Sequence, residues 1–516
     1  MSWEEEVKEI TRRREMAKQM GGPESVARHH KAGKLTVRER IAQVLDSGSF
    51  REIGALTGAA KYDAQGNLVD FTPANIVIGT GRINERRVVV SGEDFTIRGG
   101  SSEATVSEKW IWAERLAMEM QIPIVRLVDT AGGSVKLLEK AGATKLPGYP
   151  TNDSRNLLGL IPVVAAALGS VAGLGAFRVV AAHFSVMVKE SSQLFAAGPF
   201  VVTPATGEQL TKEDLGGYKI HTRGSGVVDN EAESEADAFD QIRTFLSYMP
   251  QNAFQVPPRQ NPTDDPNRKE EELLSAVPNN RRKSYIARKI LKMIFDQDSL
   301  FEIGRHQGQS VISMLGRLSG FPVGVMASDP NYLGGALTAQ AAEKLIRFVD
   351  LCDSFHLPIV NFVDQPGVMI GLASEKQGTI RKAVRALQAI EQTQVPWVAI
   401  LVRKAFGVAG SGYGRQRDLN LRYAWPSGFW GSIPIEGGVQ AAYWKEIQAA
   451  ENPEARLEEL MDHYRKFESP FRTAERFGVQ DIIDPRDTRP ILCDWVEQAY
   501  EILPRQLGPV FRTMRS

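Results

Sequence analysis

The sequence predicts an α/β protein built from two tandem copies of one βα-repeat unit, and an internal duplication is the main reason. Residues 99–129 align without a gap with residues 334–364, an offset of 364 − 129 = 235. The same offset places Asp94 on Asp329. A register kept across a strand, a glycine-rich turn, a helix and a second strand is typical of a duplicated structural unit.

The duplication also shows where the two halves differ. Residues 46–54 recur as residues 296–304 at an offset of 296 − 46 = 250, so the first half has 250 − 235 = 15 extra residues between the two matches. Residues 61–75, KYDAQGNLVDFTPAN, contain the Asp, Gly, Asn and Pro residues expected of such an excursion. The Pro-rich, polar segment 251–272 has the composition of a linker. We therefore expect domains at 1–255 and 256–516.

Short β-branched runs alternate with amphipathic helical segments in both halves, which predicts βα units around a central sheet. The runs with the strongest strand character are VVV (88–90), PIVRLVD (123–129), FSVMV (184–188), PIVNFVD (358–364) and WVAILV (397–402).

Composition excludes several classes of function. Lys+Arg and Asp+Glu both number 62 in the 516 residues, so no overall positive field favours nucleic acid or an anionic membrane. The two cysteines are too few for a disulfide framework or a four-cysteine zinc site, which suits a reducing compartment. The charged N-terminus lacks signal-peptide or transit-peptide character, so a cytoplasmic location is expected. The apolar stretch 157–176 is interpreted as a buried helix and loop, not a membrane span.

Several predicted strands run directly into glycine-rich turns, which lie at 99–100, 129–133, 169–176, 364–368 and 404–414. Such a turn before a helix directs unpaired backbone N–H groups at one point, where an oxyanion can bind. Glycine at a strand-to-helix turn is also explained by backbone geometry alone. VAG at 171–173 and VAG at 408–410 appear at matching places in the two halves, which favours the functional interpretation.

Side-chain patterns for nucleophilic or metal catalysis are missing from the sequence. It contains no HExxH, CxxC, GxSxG or P-loop pattern, and none of its seven histidines stands beside a Ser or Cys nucleophile. Asp129 and Asp364 each end a strand before a glycine turn. We interpret them as residues that cap a helix or tie the turn, in preference to a catalytic base.

The most specific motifs identify a family. They are GKLTVRERIAQVLDSGSF (33–50), LFAAGPFVVTPATGEQLTKEDLGG (194–217), HTRGSGVV (221–228), DQPGVMIG (364–371), RKAFGVAG (403–410), YAWP (423–426) and SPFRTAERFGVQDIIDPRDTR (469–489). With these motifs, residues 25–505 resemble the carboxyltransferase (β) subunits of biotin-dependent acyl-CoA carboxylases, of the propionyl-CoA or methylcrotonyl-CoA carboxylase type.

The resemblance implies two tandem crotonase-like (ClpP/crotonase) domains. It places the acyl-CoA in residues 1–255 and the biotin in residues 256–516. It further implies a homohexamer, a trimer of dimers, whose active site is shared between subunits. Biotin is expected on a separate carrier protein, with a biotin carboxylase as partner, because Lys292 lacks the sequence context of a biotinylated lysine. No metal is expected in this subunit.

The resemblance also implies the site residues. Backbone N–H groups of Gly173 and Leu174 would hold the acyl thioester carbonyl, and those of Val408 and Ala409 the ureido oxygen of biotin. The substrate-binding residues would be Gly99, Gly100, Ala131, Gly132, Gly133, Ala172 and Ser411. The biotin-binding residues would be Pro366, Gly367, Gly371, Phe406 and Gly407. For the phosphates of CoA the candidates are Lys34, Arg38 and Arg40, although a solvated helix face explains their charges equally well.

In the mechanism that the resemblance implies, carboxybiotin releases CO₂ in a pocket without water, and the ureido nitrogen then removes the α-proton of the acyl-CoA. Leu174 and Val408 replace glycines of the family, and Ser411 stands at a position that influences acyl-chain size. Three alternatives stay open: a biotin-dependent decarboxylase or transcarboxylase subunit, a non-catalytic scaffold paralogue, and a crotonase-type hydratase or isomerase. The last would have one copy of the fold and paired carboxylates.

Overall fold

The computed structural model describes residues 2–144, 157–414, 419–510 and 515. The chain divides into two compact units, Met1–Phe254 and Gln255–Ser516. Each contains one large mixed sheet, so the α/β class predicted from the sequence is confirmed.

The sheet of the first unit has seven strands in the order β1-β4-β5-β6-β7-β9-β11. The β1/β4 and β4/β5 pairs are antiparallel, and the pairs from β5 to β11 are parallel. A short parallel pair, β8 and β10, and an antiparallel hairpin, β2 and β3, lie outside it. The strands are β1 Arg51–Ile53, β2 Gly58–Tyr62, β3 Leu68–Pro73, β4 Ile76–Ile83, β5 Arg86–Glu93, β6 Ile124–Val128, β7 Val163–Ala167, β8 Ser170–Ala172, β9 Phe184–Val188, β10 Gln193–Phe195 and β11 Asn230–Ala232.

Helices cover this sheet. They are α1 Glu4–Lys18, α2 Pro23–Lys31, α3 Val37–Val44, α4 Ser107–Met120, α5 Lys136–Ala141, α6 Leu174–Val180, α7 Pro199–Thr206, α8 Lys212–Gly216 and α9 Glu235–Tyr248. Helix α3 begins with a capping box, in which Thr36 accepts from Glu39 N–H and the Glu39 carboxylate accepts from Thr36 N–H.

The second unit repeats the arrangement with the order β12-β13-β14-β15-β16-β17-β19, and β18 adds to β16. Its strands are β12 Phe301–Glu302, β13 Val311–Leu318, β14 Phe321–Ser328, β15 Ile359–Gln365, β16 Trp397–Phe406, β17 Asn420–Ala424, β18 Phe429–Gly431 and β19 Asp481–Ile482. Its helices are α10 Ala287–Ile294, α11 Ala339–Ser354, α12 Leu372–Lys376, α13 Thr379–Gln392, α14 Gly407–Ser411, α15 Ile435–Ala442, α16 Trp444–Ala449, α17 Pro453–Arg465, α18 Pro470–Ala474 and α19 Thr488–Ile502.

Strand register confirms the duplication and adds one correction to it. Val89 pairs with Ile124 in the first unit, and the residues 235 positions later, Gly324 and Ile359, pair in the second. The next strand breaks this offset, because Ile124 pairs with Val163 whereas Ile359 pairs with Trp397, and 397 − 163 = 234. The halves therefore align at 235 from β4 to β6 and at 234 at β7, whose equivalent is β16.

The fifteen-residue excursion is the β2–β3 hairpin, which runs from Gly58 to Pro73. The prediction of an extra excursion in the first half is thus confirmed, although the hairpin begins three residues before the segment proposed for it. No corresponding hairpin is paired among the described residues of the second unit.

The apolar stretch 157–176 contains the two strands β7 and β8, so its interpretation as a helix and loop is wrong. Residues 163–167 form β7, a fully buried central strand with parallel partners on both sides. A strand covered on both faces reads as a continuous apolar run, which periodicity does not distinguish from a buried helix. Within the part of the chain that the structure describes, no helix is long and apolar enough to cross a membrane.

One polar cluster is repeated in both units. Arg38 pairs with Glu52 at 2.8 Å, and Arg288, 250 residues later, pairs with Glu302 at 2.6 Å. Lys109 and Lys344 occupy matching positions beside these pairs, and burial lowers the pKa of each lysine to about 8. The ammonium of Lys344 donates to the carbonyl of Val311 at 2.7 Å.

The lowered pKa of Lys344 predicts a specific pH dependence of stability. Because the folded pKa, about 8, lies below the ordinary 10.5, the unfolded chain binds more protons between these values, and stability rises with pH across that window. We expect the wild type to gain up to about 3 kcal/mol relative to Lys344→Met from pH 8 to 10.5. Urea unfolding of both proteins at several pH values measures this gain. Lys289→Met, at an exposed position, is the control, and equal slopes for all three proteins would contradict the prediction.

Candidate active site

The glycine turns of the first unit lie together and are joined by backbone hydrogen bonds. Ala131 donates to the carbonyl of Gly99 at 3.0 Å, and Ala172 donates to the carbonyl of Thr130 at 3.0 Å. A Cβ on Gly132 would lie 2.9 Å from the carbonyl oxygen of Ala172. The structure therefore brings together the turns at 99–100, 129–133 and 169–176, which the sequence presents as separate.

Helix α6 begins at this place and directs its N-terminus into the turn. Gly173 precedes the helix with φ +59°, a conformation that favours glycine. Its N–H donates to the carbonyl of Phe195 at 3.2 Å. The next N–H groups, from Leu174 and Gly175, belong to the first helical turn, which has no intrahelical acceptor for them. Of the predicted donors Gly173 and Leu174, the second is thus the better placed for a ligand.

The second unit builds the same turn from Phe406 onward. Gly407 has φ +62° and is followed by α14, whose first turn supplies the N–H groups of Val408 and Ala409. The hydroxyl of Ser411 donates to the carbonyl of Val408 at 2.8 Å, so it has a partner within its own turn.

Gly173 and Gly407 are structural equivalents, because both follow a strand and have φ near +60°. VAG at 171–173 and VAG at 408–410, matched in the sequence, are therefore not equivalent: the first ends in Gly173, whereas the second lies after Gly407. The 234 offset of this region explains the difference. Leu174 and Val408 then occupy the same first helical position.

The residues that replace family glycines are accommodated differently. Neither Leu174 nor Val408 has a positive φ, so their Cβ atoms do not strain the backbone. Leu174 packs against the core of the first unit. Val408 is 65% exposed and lies beside the N–H groups of α14. Both residues can thus supply a backbone donor.

The turn at 129–133 in the first unit and the turn at 364–368 in the second make equivalent contacts. A Cβ on Gly100 would lie 2.6 Å from the carbonyl oxygen of Asp129, and one on Gly335 would lie 2.6 Å from that of Asp364. The N–H of Gly367 donates to the side chain of Gln365 at 3.1 Å, as Gly132 does to Thr130 at the same distance. Of the remaining predicted residues, Pro366 lies in this turn, Gly133 is open to solvent and Gly371 precedes α12.

Asp129 and Asp364 are buried and ion-paired, which favours the interpretation that they tie the turns. Neither caps a helix. Asp129 lies 3.0 Å from Arg40 and 3.6 Å from Lys34. Asp364 lies 2.9 Å from Arg403 and 3.6 Å from Lys404. The two carboxylates are equivalent, but their cations come from a preceding helix and loop in the first unit and from β16 in the second.

These ion pairs correct the prediction for the phosphates of CoA. Arg40 is buried between Asp129 and Glu235, and Arg38 is paired with Glu52, so neither forms a solvated face or is open to a phosphate. The packing of α3 against the sheet decides this, and it cannot be read from the charge pattern. Of the three, Lys34 lines the large cavity described below, whereas Arg38 lines a much smaller one.

A cavity of about 650 Å³ opens beside Gly99 in the first unit. Its cationic residues are Arg28, Lys34 and Arg98, and its walls include Phe95 and the hairpin residues 71–73. The ammonium of Lys34 lies 5.3 Å from the centre of the Phe95 ring. Burial lowers the pKa of Lys34 and of His29, which also lines the cavity.

The corresponding positions of the second unit carry no charge. By the offsets above, Lys34 corresponds to Ser284, Phe95 to Pro330 and Arg98 to Leu333. Leu333 keeps the unusual backbone of Arg98, with φ +50° against +53°. Sequence reasoning missed Arg28, His29, Phe95 and Arg98, although position-by-position comparison of the two halves would have revealed the last two.

Comparison with known proteins identifies the family of the chain. Residues 28–501 match the carboxyl transferase domain family. The chain is 35% identical, over 95% of both chains, to the carboxyltransferase subunit of propionyl-CoA carboxylase of Haloferax mediterranei. It is 33% identical, over 91% of both chains, to the alpha subunit of methylmalonyl-CoA decarboxylase of Veillonella parvula. One chain of the transcarboxylase 12S hexamer, solved with methylmalonyl-coenzyme A and methylmalonic acid bound, superimposes with a TM-score of 0.88 at 29% identity, covering 100% of this chain and 98% of that one.

The chain belongs to the carboxyl transferase domain family, and its two units have the tandem crotonase-like fold. More particularly, it is a carboxyltransferase of the propionyl-CoA carboxylase and transcarboxylase type.

Proposed function

We propose that this subunit transfers a carboxyl group from carboxybiotin, held on a separate carrier protein, to the α-carbon or vinylogous γ-carbon of an acyl-CoA. One observation carries the proposal: the chain has two equivalent helix N-termini at glycine turns, and a cationic cavity lies beside the first, whereas the positions equivalent to Lys34 and Arg98 are uncharged in the second unit. Two oxyanion sites suit a reaction between two carbonyl compounds. The difference in charge supports the proposal that each unit binds one of them.

The first unit suits the acyl-CoA. CoA carries several phosphate groups, whereas carboxybiotin carries a single carboxylate on its ureido ring and no phosphate. Arg28, Lys34 and Arg98 offer cations for phosphate, and Phe95 with residues 71–73 offers apolar surface for the adenine. The cavity includes Gly99, whose carbonyl is bonded to Ala131 of the predicted substrate-binding turn. A thioester next to Leu174 with its CoA in this cavity is therefore consistent with the connectivity of the turns.

The second unit suits biotin. Val408 and Ala409 offer two N–H groups for the ureido oxygen, and the exposed side chains of Val408 and Leu333 offer apolar contact. Bound carboxybiotin supplies the carboxyl group and the base. The described turns provide no side-chain base, because Asp129 and Asp364 are buried in ion pairs.

The part of the protein in catalysis is then electrostatic. N–H groups of α6 stabilise the enolate oxygen that develops when the acyl-CoA loses its proton, and each such donor contributes roughly 3 kcal/mol. Exclusion of water protects CO₂ and the enolate. The same groups act in either direction. The similarity to a methylmalonyl-CoA decarboxylase subunit supports decarboxylation as the second candidate.

We also propose a homohexamer, a trimer of dimers, that works with a biotin carboxylase and a biotin carrier subunit. The hexamer of the transcarboxylase 12S relative supports this assembly. Light scattering of the purified protein measures the subunit number.

Carboxyl transfer in reverse tests the proposed function. Malonyl-CoA, methylmalonyl-CoA, 3-methylglutaconyl-CoA and longer carboxyacyl-CoAs would be incubated with free biotin, and release of the acyl-CoA measured. Turnover of one of them establishes the reaction and its substrate class. An intact hexamer that binds biotin and acyl-CoA but decarboxylates none of these would favour a non-catalytic scaffold.

Arg98→Ala tests the assignment of CoA to the first unit. Removal of one charge-assisted phosphate contact, about 1.5 kcal/mol, should raise the KM for acyl-CoA about tenfold while kcat stays within twofold. Leu333→Ala is the matched control, because it truncates the equivalent residue of the second unit. An equal rise of KM in the control, or no rise in Arg98→Ala, would contradict the assignment.

A further inference from the structure

Four buried charged side chains lie next to helix α6 and have no function in the mechanism above. They are Glu93 at the end of β5, Glu114 on α4, Arg126 on β6 and Arg178 on α6 itself. Each is less than a tenth exposed. Because α6 carries the N–H groups proposed to hold the thioester, its attachment to the sheet bears directly on the reaction.

Arg126 holds the C-terminal end of α6. One of its guanidinium nitrogens donates to the carbonyls of Arg178 at 3.0 Å and Ala181 at 2.7 Å, which belong to the last turn of the helix and the residue after it. Another lies 2.6 Å from Glu114. A cation at this end satisfies carbonyls without an intrahelical partner and complements the helix dipole.

Arg178 holds the middle of the helix. Its guanidinium pairs with the carboxylate of Glu93, lies 3.3 Å from the hydroxyl of Ser91, and sits 5.1 Å from the centre of the Trp110 ring. Glu93 and Ser91 belong to β5, and Trp110 belongs to α4. Helix α6 has only seven residues, so Arg178 is one turn from Leu174.

The fold itself does not require these charges. The duplicated second unit has Ser328, Val349 and Asn361 at the positions of Glu93, Glu114 and Arg126, and Gly412 at that of Arg178. Its sheet is nevertheless complete. Buried ion pairs are a poor source of stability compared with apolar side chains of similar size. The second oxygen of Glu93 is buried without a hydrogen-bond partner among the described residues, so the cluster is not fully satisfied even as it stands.

We infer that Arg126 and Arg178 are positioning residues that fix α6, and with it the N–H groups of Leu174 and Gly175, for the acyl thioester. The inference rests on the proposed function, since it assigns these donors to the thioester oxygen. An oxyanion site depends on donors being held in place before the reaction, and a displacement of about 1 Å costs on the order of a hundredfold in rate.

The test uses Glu114→Met combined with Arg126→Met, because replacing both partners leaves no unpaired buried charge and the protein should fold. Reverse carboxyl transfer by the full chain, with the carboxyacyl-CoA that the wild type uses, should show kcat reduced 10-fold to 100-fold. The KM for acyl-CoA should stay within twofold, because the phosphate contacts are elsewhere. Arg126→Lys, with Glu114 retained, should recover part of kcat. A purely structural role would lower the melting temperature without this separation of kcat from KM.

Asp296→Asn combined with Arg489→Met is the matched control. Arg489 is equally buried, pairs with Asp296 at 2.8 Å, and donates to the carbonyl of Ile294 at the end of α10, but it is not attached to either oxyanion helix. This control should lower stability and leave kcat within twofold. A kcat within twofold of the wild type in the Glu114/Arg126 variant would overturn the inference.

Amide hydrogen exchange gives a readout that does not depend on activity. The amides of Phe177 and Ala181 donate to the carbonyls of Gly173 and Phe177, and they should exchange at least tenfold faster in the Glu114/Arg126 variant. The amide of Gly412, which donates to the carbonyl of Val408 in the second unit, should not change. Unchanged exchange at Phe177 and Ala181 overturns the positioning role even if the wild type is active. A wild type that transfers no carboxyl group overturns the proposed function, and the exchange rates still decide whether the cluster fixes α6.

Discussion

Gly100→Ala should abolish carboxyl transfer, with a loss of more than 100-fold in kcat/KM. Gly100 has φ +65°, and a Cβ there would lie 2.6 Å from the carbonyl oxygen of Asp129 and 3.0 Å from Cα of Thr130. Both atoms belong to the backbone, so a change of side-chain rotamer cannot relieve the clash. We expect about 2–4 kcal/mol of destabilisation from the left-handed conformation and the forced displacement together. The displaced segment carries the Asp129–Gly133 turn and, through Thr130, is bonded to Ala172.

Gly133→Ala is the control within the same turn. Gly133 does not have a positive φ, and a Cβ on it would meet no atom within 4 Å. Its melting temperature should match that of the wild type. The two variants would be compared by thermal unfolding and by reverse carboxyl transfer. A fully active Gly100→Ala protein would show that the packing of the turns is not needed for the reaction.

Arg40→Met should be the most destabilising change at a charged residue, at about 3–5 kcal/mol. Arg40 lies 3.0 Å from Asp129 and 2.7 Å from Glu235, and it donates to the carbonyl of Leu168 at 2.8 Å. Without the guanidinium of Arg40, the buried carboxylates of Asp129 and Glu235 lose a cation that compensates their charge. Chemical unfolding monitored by circular dichroism measures the loss of free energy of unfolding.

Arg465→Met provides the comparison. Arg465 also contacts two carboxylates, Glu458 at 2.7 Å and Asp462 at 2.8 Å, but all three side chains are exposed to solvent. Exposed pairs contribute about 0–1 kcal/mol, so this variant should stay close to the wild type. Equal losses in the two variants would mean that burial does not determine the contribution of Arg40.

Much of the fold could be predicted from the sequence because local patterns specify it. Strands of the two sheets contain the runs 88–90, 184–188 and 397–402 and nearly all of the runs 123–129 and 358–364. The duplication predicted two like units. The prediction of a helix and loop at 157–176 was wrong, because an apolar run has the same sequence pattern in a buried strand and in a buried helix.

Part of the candidate site could likewise be predicted from the sequence, and part could not. The glycine turns were recognisable because a backbone that turns directly after a strand selects glycine. The pairing of VAG 171–173 with VAG 408–410 was wrong, since three-letter similarity does not record the one-residue change of offset that strand pairing shows at β7 and β16. Of the three predicted phosphate ligands Lys34, Arg38 and Arg40, only Lys34 stays a candidate, because Arg38 and Arg40 are ion-paired. The packing of helix α3 determines these ion pairs, and the sequence pattern does not show it.

The sequence by itself determined the duplicated α/β architecture, the glycine turns and the family, because these depend on residue type, spacing and order. Only the tertiary structure decided which backbone N–H groups lie in the first turn of a helix, which arginines are buried in ion pairs and which line the cavity. The physical reason is that charge and hydrogen-bonding capacity belong to a residue, whereas the partner that satisfies them is set by segments distant in sequence. Arg40 and Arg98 are the same type of residue. In the folded chain Arg40 is ion-paired with Asp129 and Glu235, whereas Arg98 lines the cavity.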